Sequence, residues 1–122
     1  MKESGEMYLE TIHVLSKTNP HVRSIDVSEH MQFSKPSVSR AISILKNDGF
    51  VHMDKDGYLT LTESGLSIAE KIYQRHLILT EFLGLIGLDS DTAANDACRM
   101  EHAISDQTYA AISNHVTHLK NQ

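Results

Sequence analysis

Tryptophan is absent from this 122-residue chain, cysteine occurs once, and only 2 prolines and 6 glycines interrupt it. A single thiol, Cys98, cannot close an internal disulfide, which excludes a disulfide-stapled secreted scaffold and suits a reducing compartment. The scarcity of Pro and Gly excludes collagen-like and low-complexity chains, while 40% hydrophobic and 22% charged residues are the composition of a globular protein. No apolar run approaches the roughly 20 residues that cross a bilayer. The opening Met-Lys-Glu-Ser-Gly-Glu also lacks the apolar stretch of a signal peptide. These absences lead to the expectation of a cytoplasmic protein with no membrane partner. The length allows one ordinary domain or two very small ones.

Positive charge is also in short supply. The formal net charge is −5, an unpromising total for a partner of nucleic acid. The total conceals a gradient, however. Residues 1–60 carry seven Lys/Arg against eight Asp/Glu, whereas residues 61–122 carry four against eight. Between 35 and 55 the balance reverses, with Lys35, Arg40, Lys46 and Lys55 against Asp48 and Asp54. Phosphate contacts act over about one Debye length, ~10 Å, so a locally basic face can bind DNA on an acidic protein. The surplus acid elsewhere implies that a cation could be required first.

The apolar pattern predicts a first helix over about Glu6–Leu15 and a short second helix capped by Ser24 and running to Met31. A third starts at Lys35-Pro36, buries Val38, Ala41, Ile42 and Leu45, and stops at Asn47-Asp48-Gly49. Two short helices this close form a helix-turn-helix pattern. Phe50–Met53, the turn Asp54-Lys55-Asp56-Gly57, and Tyr58–Leu61 read as a β-hairpin, which behind a helix-turn-helix is a wing. A long helix over about Ser64–Ile86, one from Ser90 and one from about Asp106 complete the chain. The expected architecture is therefore mainly α: an N-terminal winged helix-turn-helix over 1–70, with a small hairpin wing, then an α-helical dimerisation domain over 71–122.

A recognition helix presents small polar and basic residues at its N-terminal turns, where it meets base edges and phosphate. Ser34, Lys35, Pro36, Ser37, Ser39 and Arg40 occupy that end here, with Arg40 the best base reader, and wing residue Lys55 can reach phosphate. The same residues also suit an ordinary solvated helix face. One short recognition helix binds DNA weakly, so a homodimer on double-stranded DNA of two-fold symmetry is expected, with the apolar helices after Ser90 as the dimer interface.

The richest stretch is Cys98-Arg99-Met100-Glu101-His102. On a helix Cys98, Glu101 and His102 lie at i, i+3 and i+4, so thiolate, carboxylate and imidazole share a face. That mixture suits first-row divalent metals better than oxygen-only cages do. Further ligands must come from elsewhere, and the first helix offers Met7 and Glu10, the long helix His76. Taken singly, a residue such as Met7 is more often a core filler than a ligand, and one such as His76 is usually a surface or capping residue.

The segments Glu6-Met7-Tyr8-Leu9, Tyr73-Gln74-Arg75-His76, Ile86-Gly87-Leu88-Asp89 and Asp96-Ala97-Cys98-Arg99-Met100-Glu101-His102, followed by Ser105-Asp106, resemble the diphtheria-toxin-repressor family. That family comprises the iron-dependent repressors and the manganese transport regulators, and the resemblance runs from about Glu6 to Ala110. It implies a winged helix, a helical dimerisation domain, and Fe(II) or Mn(II) held between the first helix and that domain, with zinc, cobalt or nickel as in vitro substitutes. Residue by residue, Met7, Cys98, Glu101 and His102 match the iron repressors' activating site, and Glu10 and His76 match positions used by the manganese regulators. The chain departs from the iron repressors at Ala94 and Thr80, where their second site has a His and a carboxylate. It resembles a short form without the SH3-like domain. The implied function is a metal-dependent transcriptional repressor of metal-uptake genes and not an enzyme. A winged-helix regulator of a small organic ligand and, more remotely, a metal-dependent hydrolase are the alternatives.

Overall fold

The computed structural model describes residues 3–122, and the chain divides into two compact units, 1–70 and 71–122. The first unit holds α1 (Glu3–Ser16), α2 (Ser24–Met31), α3 (Lys35–Asn47), β1 (Val51–Met53), β2 (Leu59–Leu61) and the start of α4 (Glu63–Leu85). The second holds the remainder of α4, then α5 (Ser90–Ala103) and α6 (Asp106–Lys120). Among the described residues, no helix is long and apolar enough to cross a membrane.

Local chemistry sets these limits. Helix α2 starts one residue away from the expected arrangement: Arg23 is the N-cap and Ser24 already helical. Asp26 takes over the capping, its carboxylate accepting the Arg23 backbone N–H at 2.8 Å. The chain leaves α2 through Gln32 at φ 59°, and Ser28 donates its hydroxyl to the Phe33 carbonyl at 2.6 Å, securing the turn. Ser34 caps α3 by accepting the Ser37 N–H, and Pro36 sits in the first turn, where no amide hydrogen is needed. The hairpin is antiparallel in the register Val51↔Leu61, His52↔Thr60, Met53↔Leu59. Its tight turn closes on Asp54, whose carboxylate accepts the Asp56 and Tyr58 N–H groups, each at 2.9 Å. Gly57 there has φ +83°, a conformation side chains resist.

The core of the first unit joins α1 (Tyr8, Leu9, Ile12), α2 (Val27), α3 (Val38, Ile42, Leu45), the hairpin (Val51, Leu59) and Ala69 of α4. Full burial of each large aliphatic side chain is worth about 1.5–3 kcal/mol, so this cluster fixes the three helices and the wing as one reading head. Ala41 is only half-buried, on the rim of α3's apolar stripe.

Gly65 is fixed by the approach of α4 to the strand below it. A Cβ at that position would stand 2.1 Å from the Phe50 carbonyl oxygen and 3.0 Å from its carbon. Both contacts are backbone, and that oxygen already accepts the Thr62 N–H. Gly65→Ala is therefore expected to destabilise the protein by about 2 kcal/mol, read as a lowered urea midpoint at unchanged slope.

His13 of α1 adds a pH dependence. Burial is the main reason its imidazole titrates below the usual range, the Lys17 charge adds to this, and Glu70 opposes it. The unfolded chain therefore binds more protons than the folded one just below the ordinary value of about 6.5. The stabilisation is complete above that value and is lost as pH falls toward the depressed folded value. A shallower decline of the urea midpoint in His13→Gln than in the parent, from about pH 7.5 to about pH 5, is the expected result.

In the second unit Asp89 caps α5 by accepting the Thr92 N–H at 2.7 Å, and Ser105 caps α6 by accepting that of Thr108 at 3.1 Å. The Thr92 hydrogen bond holds the Asp89 carboxyl below its usual range. Leu79 and Leu83 of α4 pack on Ala93 and Ala97 of α5, ringed by Phe82, Met100, Ile104 and Ile112. Two alanines on the facing helix permit close approach of the backbones. The exposed large hydrophobics of this unit are Leu77, Leu85, Ile86 and Leu88.

Candidate nucleic-acid interface and metal centre

Every residue expected to face nucleic acid is exposed: Ser34, Lys35, Pro36, Ser37, Ser39 and Arg40 at the start of α3, and Lys55 at the wing turn. Val38, Ile42 and Leu45 occupy α3's opposite, buried side, so the polar stripe is presented by a helix anchored from behind. The Ser34 hydroxyl donates to Ser37 Oγ at 2.8 Å while capping the helix. Ser34 thus has a structural task in addition to any contact it makes.

The second candidate centres on Glu101, a carboxylate with no solvent exposure at all. Its Oε2 lies 2.8 Å from Nδ1 of His76 on α4, and its Oε1 lies 3.3 Å from Nε2 of His102, the next residue on α5. The second contact lacks hydrogen-bond geometry, so Oε1 has no hydrogen-bond partner among the described residues. A buried carboxylate oxygen in that condition is costly unless a cation approaches it. Two imidazoles flanking one carboxylate, all within α4 and α5, are a donor set for a first-row divalent metal, and the residues present fit such an ion.

The structure thus brings His76, Glu101 and His102 together. Cys98 lies one turn before Glu101 on α5 but is exposed. Met7 and Glu10 are half-buried on α1 in the first unit, and the Met7 carbonyl accepts the Thr11 hydroxyl at 2.9 Å. Glu81 of α4 forms an ion pair with Lys120 of α6 at 3.1 Å. Thr80 donates its hydroxyl to the His76 carbonyl at 2.7 Å.

Sequence reasoning missed Arg75. Its side chain is 7% exposed and crosses from α4 to the α5–α6 junction. The guanidinium donates to the carbonyls of Glu101, at 3.3 Å, and Ile104, at 3.0 Å, pairs with the Asp106 carboxylate, and lies 5.0 Å from the centre of the Tyr109 ring. Arg75 therefore holds the backbone of the turn that carries Glu101 and His102. The only signal available was its place beside His76, since an arginine in a helix ordinarily marks a wet face.

A helix-turn-helix with a hairpin wing, followed by a helical unit carrying a buried carboxylate between imidazoles, defines a winged-helix protein with a candidate metal centre. The sequence model for the iron dependent repressor, N-terminal DNA binding domain, matches residues 1–59. That for the iron dependent repressor, metal binding and dimerisation domain, matches residues 62–122. The chain belongs to the iron-dependent repressor family. It is 33% identical over 106 residues to the diphtheria toxin repressor of Corynebacterium glutamicum, covering 86% of this chain and 46% of that one. It is 32% identical to the HTH-type transcriptional regulator MntR of Lysinibacillus sphaericus, covering 84% of this chain and 73% of the relative. Among solved structures, a manganese-dependent transcriptional repressor complex with manganese superposes with a TM-score of 0.86 at 29% identity, over 93% of this chain and 52% of the other. The chain spans less than half the length of the diphtheria toxin repressors it matches.

Proposed function

We propose that this protein is a metal-dependent transcriptional repressor that binds double-stranded DNA as a homodimer when Fe(II) or Mn(II) is plentiful. The observation that carries the reading is the buried Glu101 carboxylate, with His76 against one oxygen and His102 beside the other. Cys98, Met7 and Glu10 complete the ligand set by their chemistry: a thiolate and thioether favour iron, and a further carboxylate favours manganese. A divalent ion held by these residues would supply the positive charge that the acidic second unit lacks.

The remaining steps belong to the chain's own residues. Met7 and Glu10 ride on α1, whose Tyr8, Leu9 and Ile12 share a core with α2, α3 and the wing, so restraint of α1 is restraint of the reading head. Leu77, Leu85, Ile86 and Leu88 are the apolar surface offered to a second copy. In a dimer the two α3 helices must meet half-sites a whole number of DNA turns apart, so limiting their separation raises affinity. A coupling of about 1–3 kcal/mol between metal and DNA suffices. Arg40 reads bases, while Lys35, the serines and Lys55 contact phosphate. The protein acts in the cytoplasm, by binding and not by turnover, at an operator with two-fold symmetry controlling metal uptake.

The test is anaerobic selection of duplexes from a random pool, followed by titration with Fe(II), Mn(II), Zn(II) and Co(II) in parallel and reversal by chelator. Affinity that rises with metal and falls on chelation is expected. Equal affinity in both states would overturn the reading and favour an organic effector, for which the first unit has a cavity of about 590 Å³ between α1 and α3, lined by Tyr8, Ile44, Leu45 and Phe50.

A further inference from the structure

The wing of this protein is tied down by residues outside the hairpin. Segment 21–23 runs beside β2, where the Val22 carbonyl accepts the Leu59 N–H at 2.7 Å, a bond of sheet type although only two strands form the regular sheet. Extended chain alternates its side chains, so Val22 goes into the core while His21 and Arg23 emerge together on the solvent side. Between them stands Tyr58, the residue that leaves the wing turn. The His21 ring lies 4.6 Å from the Tyr58 ring, centroid to centroid, tilted by 38°. On the Arg23 side, the guanidinium lies 4.7 Å from the ring centre, and its Nη2 donates to the Tyr58 hydroxyl at 3.2 Å. The Tyr58 backbone closes the turn from within, its N–H on the Asp54 carboxylate and its carbonyl accepting the Asp54 N–H.

We infer that Tyr58, clasped by His21 and Arg23, is the positioning residue of the wing, fixing the direction in which Lys55 is presented to a DNA phosphate. A two-stranded hairpin with three-residue strands has little stability of its own. The clasp supplies what the short strands lack, and it also links the wing to Arg23, the N-cap of α2, so that wing and helix-turn-helix keep one relative orientation. The part of this inference that concerns phosphate rests on the DNA-binding reading above. The clasp itself does not.

The experiment uses the full chain in two arms. In the first, amide hydrogen exchange is followed in the metal-free protein for the parent, Tyr58→Leu and Tyr58→Phe. Leu removes the aromatic ring and the hydroxyl, whereas Phe keeps the ring for His21 and Arg23. About tenfold faster exchange of the Leu59 and Tyr58 amides in Tyr58→Leu, with α3 amides unchanged and Tyr58→Phe close to the parent, is expected. Unaltered exchange at Leu59 in Tyr58→Leu would overturn the clasp, and so would equal acceleration in Tyr58→Phe and Tyr58→Leu, which would show that the ring contributes nothing.

In the second arm, Lys55→Ala is placed in the parent and in Tyr58→Leu, and each metal-loaded protein is titrated against a duplex from the random pool over a range of salt. Lys55→Ala should lower the salt slope of the dimer by about two, one per protomer, in the parent and by clearly less in Tyr58→Leu. Equal losses in both backgrounds would overturn the positioning role. A parent that binds no duplex with or without metal would overturn the DNA-binding reading and leave the exchange result to decide the clasp.

Discussion

Glu101→Gln is expected to remove the stabilisation conferred by metal while leaving the metal-free protein as stable as the parent or slightly more so. Without metal, a carboxyl group with no solvent exposure stands between two imidazoles, and one of its oxygens lacks a hydrogen-bond partner among the described residues. An amide of the same shape avoids burying a carboxylate and keeps an oxygen able to contact His76, so the metal-free protein should change little. In the proposed metal-bound state the carboxylate would serve as a ligand, for which an amide is a poor substitute. A ligand that binds only the folded state at about a hundred times its dissociation constant stabilises by about 2.7 kcal/mol. Glu101→Gln should weaken metal binding at least about a hundredfold, so almost all of that increment disappears. The measurement is a pair of anaerobic thermal scans, with Mn(II) or Fe(II) and with chelator. A variant still stabilised as strongly as the parent would separate Glu101 from the metal site. A variant less stable than the parent in chelator would assign Glu101 a structural role.

The fold was largely legible from the sequence because its boundaries are set by strong local chemistry. The Lys35-Pro36 start of α3, the Asp-Gly turn at 56–57 and the helix starts at Ser90 and about Asp106 were readable as local pattern, and the structure supplies the capping groups in Ser34, Asp89 and Ser105. The one misplaced cap, Ser24 for Arg23, failed because the capping group is the Asp26 carboxylate reaching back three residues, so the N-cap needs no oxygen of its own. The candidate site was legible as a spacing but not as an environment. Helical periodicity puts Cys98, Glu101 and His102 on one side of α5, yet Glu101 is wholly buried and Cys98 exposed, a difference set by tertiary packing and not by the angular position of either residue. From spacing alone His76 was recognisable only as an available imidazole, and it was the family resemblance that assigned it to the site. Its contact with Glu101 joins α4 to α5 across 25 residues of sequence. The wing clasp was invisible for the same reason, since His21 and Arg23 meet Tyr58 across more than 30 residues.

Arg75→Met should cost the second unit about 3 kcal/mol, far more than removal of its charged partner. The two contributions can be separated by exposure. The Asp106 carboxylate is 77% exposed, so its pairing with Arg75 is screened by solvent and worth at most about 1 kcal/mol; the same applies to its longer contact with Lys71 at 3.6 Å. The Glu101 and Ile104 carbonyls are a different matter, because the guanidinium reaches them through a side chain that is itself 7% exposed. Methionine fills similar volume but donates nothing, and each buried acceptor left without a partner costs about 1–3 kcal/mol. Asp106→Asn is therefore expected to change the urea midpoint little, whereas Arg75→Met lowers it strongly. Arg75→Lys should fall between them, since one ammonium on a flexible stem cannot reproduce the fork that spans both carbonyls. Because those carbonyls belong to the turn carrying Glu101 and His102, Arg75→Met should also weaken metal binding, measured by calorimetry at a temperature where the variant is folded. If Asp106→Asn proved as damaging as Arg75→Met, the exposed ion pair and not the buried carbonyl contacts would be what holds α4 to the α5–α6 junction.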